Sequence, residues 1–243
     1  MSERSRFQFV VRFGLCALTA LSVTHTARSA ELAEVLVNFD RVQRSILTLS
    51  ADFTETTKST LLTDEIVARG KLFLTKPNSV RWEYTVPEEM RFVIANDEYT
   101  GYFPLRKRAE KRNVQRYGEH LFRFLGIGQA STELAKFYNI RLDPEGSSEQ
   151  EIRLILDPKK KRVRKRMESV SFWIDARTYL PLRIHYSSSA GNTRLIEFEN
   201  VEVNPDIAMS LYSVQLPADV EVTKGFSALS GLGNKAAGDP SDD

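Results

Sequence analysis

The chain has 243 residues, 42% of them hydrophobic and 27% charged, with a formal net charge of +2. That balance suits an ordinary globular domain; it excludes a disordered polymer, a bundle of membrane-spanning helices and, being so close to neutral, a dedicated nucleic-acid binder. One cysteine, Cys16, and 3 histidines leave little material for redox or metal chemistry.

The N-terminus comes first. Arg4, Arg6 and Arg12 precede an apolar run from Phe13 to Val23, and small residues follow around Ala27-Arg28-Ser29-Ala30. This is the order of an export signal cleaved after Ser29 or Ala30, and its apolar part is too short for the ~20 residues that span a bilayer. Residues 1–30 are therefore expected to be a signal peptide, and the remainder holds no cysteine. Such a chain must keep its fold in an oxidising compartment by packing alone.

Next, Leu32, Val35, Leu36, Phe39, Val42, Ile46 and Leu47 recur at helical spacing, with Glu34, Asp40, Arg41 and Arg44 opposite them. From Ser50 the period changes to two. Ile66, Ala68, Gly70, Leu72 and Leu74 share one face of a strand, and Arg69 and Lys71 the other. The alternation returns in Val80, Trp82 and Tyr84; in Ile152, Leu154 and Leu156; in Val170, Phe172 and Ile174; in Leu180, Leu182 and Ile184; and in Ile196 and Phe198. Lys76-Pro77-Asn78, Asn96-Asp97, Asp143-Pro144-Glu145-Gly146, Asp157-Pro158 and Gly191-Asn192 supply turns between strands. Connections this short favour antiparallel neighbours. Between Val114 and Tyr138 the residues Leu121, Phe122, Leu125, Ile127, Leu134 and Phe137 suggest one or two short helices. From Gly225 onward the Gly, Ala, Ser and Asp content reads as disorder, so residues 31–224 form the one expected domain, followed by a tail over 225–243.

An antiparallel sheet with one apolar face must stack on another sheet or curl around its own dry side. With two helical segments available as cover, the expectation is a mainly β fold with a helical lid: an incomplete antiparallel β-barrel, its curved sheet covered by short helices. Its interior is either packed by its own side chains or left with a cavity.

Catalytic constellations are missing. His120 and His185 stand far apart, no cysteine follows the signal, and Gly126-Ile127-Gly128 lacks the third glycine of a nucleotide loop. Glu197 with Glu199, and Glu88 with Glu89, read as a solvated strand face and a turn. No enzyme site, cofactor or metal is assigned. Two basic clusters, Arg106, Lys107, Arg108, Lys111, Arg112 and Arg116, then Lys159 through Arg166, read either as solvated hairpin tips or as docking on anionic phospholipid, where each cation contributes about 1 kcal/mol before screening.

The run from Gly70 to Tyr84, GKLFLTKPNSVRWEY, followed by Pro87, resembles the signature of the outer-membrane lipoprotein carriers of the LolA family. Leu49 to Glu55, Leu180-Pro181, Gly191-Asn192, Phe198, Asn200, Asn204 and Leu216-Pro217 extend the likeness over nearly all of the chain after the signal. The resemblance implies a periplasmic, monomeric, lidded half-barrel that shelters the acyl chains of lipoproteins released from the inner membrane. Partners would be acylated lipoproteins or other lipid cargo, an inner-membrane release complex, an outer-membrane acceptor and, transiently, a membrane surface. Candidate cavity residues are Leu72, Leu74, Val80, Trp82, Tyr84, Phe92, Ile94, Phe172, Ile174, Leu182, Ile184, Ile196 and Phe198. Candidate lid residues are Val35, Leu36 and Phe39. Lys76 stands where many members carry an arginine that latches the lid; an ammonium is a point charge where that arginine offers a planar fork. The chain also departs from the family at Asn96-Asp97-Glu98, where Asp-Gly is usual, at Gly101, where tryptophan is common, and in the basic stretch from Arg106. A carrier for glycolipid, or a sensor related to regulators of envelope stress, is the competing expectation.

Overall fold

The computed structural model describes residues 20–115, 129–165 and 167–225, with side chains from residue 31. The expected signal lies mostly outside these limits, as do Leu121, Phe122, Leu125 and Ile127 of the helical insert and nearly all of the tail.

A helix, α1 (Ala20–Ser45), leads into a single sheet of 12 strands. In chain order these are β1 (Thr48–Lys58), β2 (Ile66–Thr75), β3 (Ser79–Val86), β4 (Met90–Ala95), β5 (Glu98–Phe103), β6 (Arg108–Asn113), β7 (Tyr138–Leu142), β8 (Glu151–Pro158), β9 (Ser169–Asp175), β10 (Pro181–Ser187), β11 (Thr193–Val203) and β12 (Glu221–Lys224). Their spatial order is β12-β6-β5-β4-β3-β2-β1-β11-β10-β9-β8-β7, antiparallel except where β12 runs parallel to β6. The β1–β11 pair joins two meanders: from β1 the chain runs outward to β6, and from β7 it returns inward to β11. The sheet stays open, as an incomplete barrel should, and among the described residues no helix is long and apolar enough to cross a membrane.

The register explains why one face is dry. Leu72 sits opposite Ala51 and Trp82, Phe53 opposite Gly70 and Phe198, and Ile184 opposite Phe172 and Ile196. The period-two residues of neighbouring strands therefore fall side by side on one surface. Gly70 is required for this. A Cβ there would lie 1.8 Å from the Glu83 carbonyl oxygen and 2.9 Å from the Phe53 ring, so the bare backbone lets Phe53 lie across β2 where the register shifts. Asn96 and Asp97 take φ of 50 and 61°, the left-handed pair that a two-residue hairpin turn needs, and both side chains tolerate it.

Several elements differ from the sequence reading. The helix expected to end at Leu47 stops at Ser45, and Leu47 is 65% exposed because Asn204 turns the chain into β1 there. Val114 is not helical; it is buried beside Tyr99 directly after β6. The basic residues from Arg108 to Arg112 lie on a strand, and Lys161–Arg164 form a helical turn, α3, in place of a simple hairpin tip. The other short helix is α2 (Ser131–Leu134). Residues 205–220 cross the convex side of the sheet: Tyr212 bonds Thr75 at 2.7 Å, and Arg81 donates to the Leu211 carbonyl at 2.9 Å. This strap has no periodic signal because it packs through isolated side chains.

Gly70→Ala is expected to cost at least about 2 kcal/mol, since the new methyl meets backbone rather than a movable side chain. A lowered urea midpoint with an unchanged denaturant slope would show it.

Candidate functional site

The concave face and α1 form one apolar body. Val35 and Phe39 of α1, the latter 1% exposed, pack with Leu72, Leu74, Val80, Trp82, Tyr84, Phe172, Ile174, Ile184, Ile196 and Phe198. Phe39 meets Phe172 edge to face at 5.9 Å. Phe53, which period-two reading alone would place here, bridges Trp82 and Tyr84, each ring at 5.0 Å. Leu36, Phe92 and Ile94 are half-buried at the margin of the same cluster. Leu182 is the one candidate left out: the register shifts between Pro181 and Arg183, so Pro181 takes the inward place opposite Ile174, and Leu182 falls out of the alternation shared by Ile184 and Tyr186. Beyond β4 the apolar surface continues through Tyr99, whose ring stacks on Phe92 and fills the space over Gly101, where a Cβ would lie 2.4 Å from the Tyr99 hydroxyl.

Polar contacts hold α1 to this surface mainly at one end of the strands. Lys76, in the β2–β3 turn, donates from Nζ to the Gln43 carbonyl at 2.6 Å, and burial lowers its ammonium below the ordinary lysine value. Gln43 is in the last turn of α1, whose final carbonyls have no partner within the helix, so a cation suits it. Asn204, at φ 59°, accepts from the Leu47 amide at 2.7 Å and donates to the Ser45 carbonyl at 3.0 Å, bracketing the α1–β1 junction. Farther along, Asp40 accepts from the amide of Ser131 at 2.5 Å and from its hydroxyl at 3.0 Å, tying α1 to α2.

At the opposite end the concave face carries a buried polar group that the sequence reading missed. Glu55 accepts from Arg194 Nη2 at 2.5 Å and from the Tyr84 hydroxyl at 2.8 Å, and Arg194 also reaches the Tyr84 oxygen at 3.0 Å. Glu55 and Arg194 sit at inward positions of their strands, diagonal to one another across the β1–β11 pair, where an acid and a base among inward apolar residues are the available signal. A buried carboxylate opposite one guanidinium is charge-balanced, yet Arg194 Nε and Nη1 and the indole Nε1 of Trp82 have no partner among the described residues. All three are donors. Burial pushes the Tyr84 and Tyr186 phenols well above their ordinary value and Tyr138 up to about 12. On the convex side, a groove between β4, β5, β6 and the strap is lined by Val93, Glu98, Thr100, Lys111, Met209 and Tyr212, a mixed set poorly suited to hydrocarbon.

Two measurements follow from these contacts. Lys76→Met removes one hydrogen bond worth about 1 kcal/mol. Amide exchange over the last turn of α1 should quicken roughly fivefold while global stability barely changes. Second, phenols whose folded values are raised contribute stability in full below pH ~10, the ordinary tyrosine range, and lose it as pH rises through the folded values. Stability should therefore fall above pH ~10, with phenolate absorbance appearing together with unfolding rather than before it.

Comparison with known proteins brings in one family and a shared fold. The sequence profile of the family described as outer membrane lipoprotein carrier protein LolA matches residues 44–215. No curated protein sequence matches the chain. Among solved structures, an uncharacterised conserved protein from Thermus thermophilus is 15% identical, with a TM-score of 0.51 over 80% of this chain and 99% of that one. The MucA/MucB complex of Pseudomonas aeruginosa is 13% identical, with a TM-score of 0.48 over 79% of this chain and 63% of that one. A LolA superfamily protein from Nitrosomonas europaea is 11% identical, with a TM-score of 0.40 over 75% and 97%.

Proposed function

We propose, from the premise that the chain belongs to the outer membrane lipoprotein carrier family LolA, that it is a periplasmic carrier which shelters the acyl chains of lipoproteins between the inner and outer membranes. The observation that carries this reading is the position of Phe39: a lid side chain 1% exposed, seated in the middle of an apolar concave face to which its helix is only lightly fastened.

Each methylene exposed to water costs roughly 0.8 kcal/mol, so a multi-chain cargo crossing an aqueous gap must be covered throughout. A cavity that stood empty would bind such chains too tightly to release them. Val35, Leu36 and Phe39 solve this by occupying the surface themselves and moving aside as chains enter, so that one burial is exchanged for another. α1 pivots at its C-terminal end, where Lys76 and Asn204 hold it, and Trp82, Phe172 and Phe198 become the walls of the vacated space. The unpartnered N–H groups of Arg194 and Trp82 favour a cargo that brings neutral acceptors. Ester and amide carbonyls of acyl groups fit, while an anion would leave an uncompensated buried charge beside Glu55. Loading by an inner-membrane release complex and delivery to an outer-membrane acceptor complete the cycle. The chemistry is binding and release, without catalysis.

Phe39→Ala separates this reading from a merely structural helix. The free protein should lose about 3 kcal/mol, while affinity for a synthetic triacylated lipopeptide, read by tryptophan fluorescence, should rise because the chains no longer displace a ring. Loss of stability with unchanged affinity would leave α1 as ordinary cover. A wild-type protein that takes up no lipopeptide would overturn the carrier reading itself.

A further inference from the structure

The strand register brings five connections to the end of the sheet remote from Lys76. They are β1–β2, β3–β4, the turn after β5, β8–β9 and β10–β11. Three of them are joined by hydrogen bonds: the Thr60 amide donates to Asn192 Oδ1 at 2.9 Å, and the Ser189 hydroxyl donates to the Lys165 carbonyl at 2.7 Å. The result is a continuous rim. Leu61 and Leu62 stand 83% and 50% exposed on it, with Ile66, Val67 and Val163 exposed nearby. An isolated exposed leucine means little, but several along one rim form a patch.

The two basic clusters of the sequence both reach this end, and the structure treats them differently. Around the turn after β5 each cation has an acid: Arg106 pairs with Glu88 at 2.9 Å, Lys107 with Asp219 at 2.7 Å and Arg108 with Glu110 at 2.5 Å. Lys111 likewise pairs with Glu98 at 2.9 Å, so these four cations are neutralised within the fold; Arg116 lies outside the described residues. On the β8–β9 connection, Lys159, Lys160, Lys161, Arg162, Arg164 and Lys165 are all exposed and make no ion pair among the described residues. Met167 turns inward, 7% exposed, and its amide closes the α3 turn on the Val163 carbonyl at 2.8 Å, which fixes the cations outward. Acids beside these cations and leucines are few: Asp64, Glu65, already paired with Lys58 at 2.6 Å, Asp157, paired with Arg141 at 3.0 Å, and Glu168.

We infer that this rim docks on an anionic lipid surface, the cations of Lys159–Lys165 meeting the headgroups and Leu61 and Leu62 entering the boundary between headgroups and chains. Unpaired positive charge beside exposed leucines is complementary to that surface in both charge and polarity. A nucleic acid would instead call for aromatic stacking platforms among the cations, and a protein partner of ordinary affinity for fewer uncompensated charges at its centre.

Co-sedimentation with vesicles tests this without any cargo, so its outcome is separate from that of the carrier reading. Vesicles with about one third phosphatidylglycerol should retain the protein, and pure phosphatidylcholine vesicles should not. Raising the salt to about 0.5 M should release it. K160Q/K161Q/R162Q/R164Q should weaken retention at least about a hundredfold. L61D/L62D, with the cations intact, should weaken it about tenfold or more. All these side chains are at the surface, and circular dichroism checks that each variant is folded. Equal retention on both lipids, or a charge-depleted variant that binds as the wild type does, would overturn the proposal. Failure of both vesicles to retain the wild type would overturn it too, and would turn attention to an acidic protein partner.

Discussion

An open curved sheet cannot cover its own inner face. Every strand contributes alternate side chains to that face, and closure into a barrel, which would let opposite walls meet, does not occur here. Among the described residues the burden falls mainly on α1, with Leu134 of α2 beside it, and much of interest in the molecule descends from this. The helix must be apolar enough to seal the face, as Val35 and Phe39 make it, and its hold must come from a few identifiable groups at its end. A cover fastened by a handful of hydrogen bonds, each worth about 1 kcal/mol, can be exchanged for another apolar occupant at modest cost. A barrel packed on itself could not be.

The polar pair within the apolar face sharpens this picture. Replacing a buried ion pair by hydrocarbon is often neutral or stabilising, so Glu55 and Arg194 are poorly explained by stability alone. Their place, on inward positions at the end away from Lys76 and beside Tyr84 and Tyr186, gives the interior a direction: an apolar middle, the Lys76 ammonium on the Gln43 carbonyl at one end, donors at the other. An interior with two unlike ends orients what enters it. The cationic rim lies outside the donor end, so the same axis continues onto the surface.

The central strands were plain from the chain because half-buried strands write their faces as strict alternation: Ala68 to Leu74 and Val80 to Tyr84 fall on the faces the period assigns, while Ile66, read onto the dry face, is exposed at the rim. The outer strands were less legible. β5 is buried on both sides, Tyr99 and Phe103 inward and Tyr102 and Thr100 under the strap or a neighbouring arginine, so its period disappears. β6 was hidden by its cations, which a strand places on its wet face or pairs with acids two residues away. Leu182 misled because a register shift of one residue reverses inside and outside, and nothing local announces it. Glu55 and Arg194 are far apart in the chain, and only the β1–β11 pairing brings them within reach.

The strap over the convex side ends in β12, 4 residues laid parallel to β6, while the other border of the sheet is β7, 5 residues long. Unpaired strand borders invite recruitment of further chains into a growing ribbon. An open sheet whose apolar inner face is sealed by helices and not by its own closure keeps two such borders. Short margins, one of them a parallel add-on, offer little length for templating, so the sheet presents few free backbone groups at its seams.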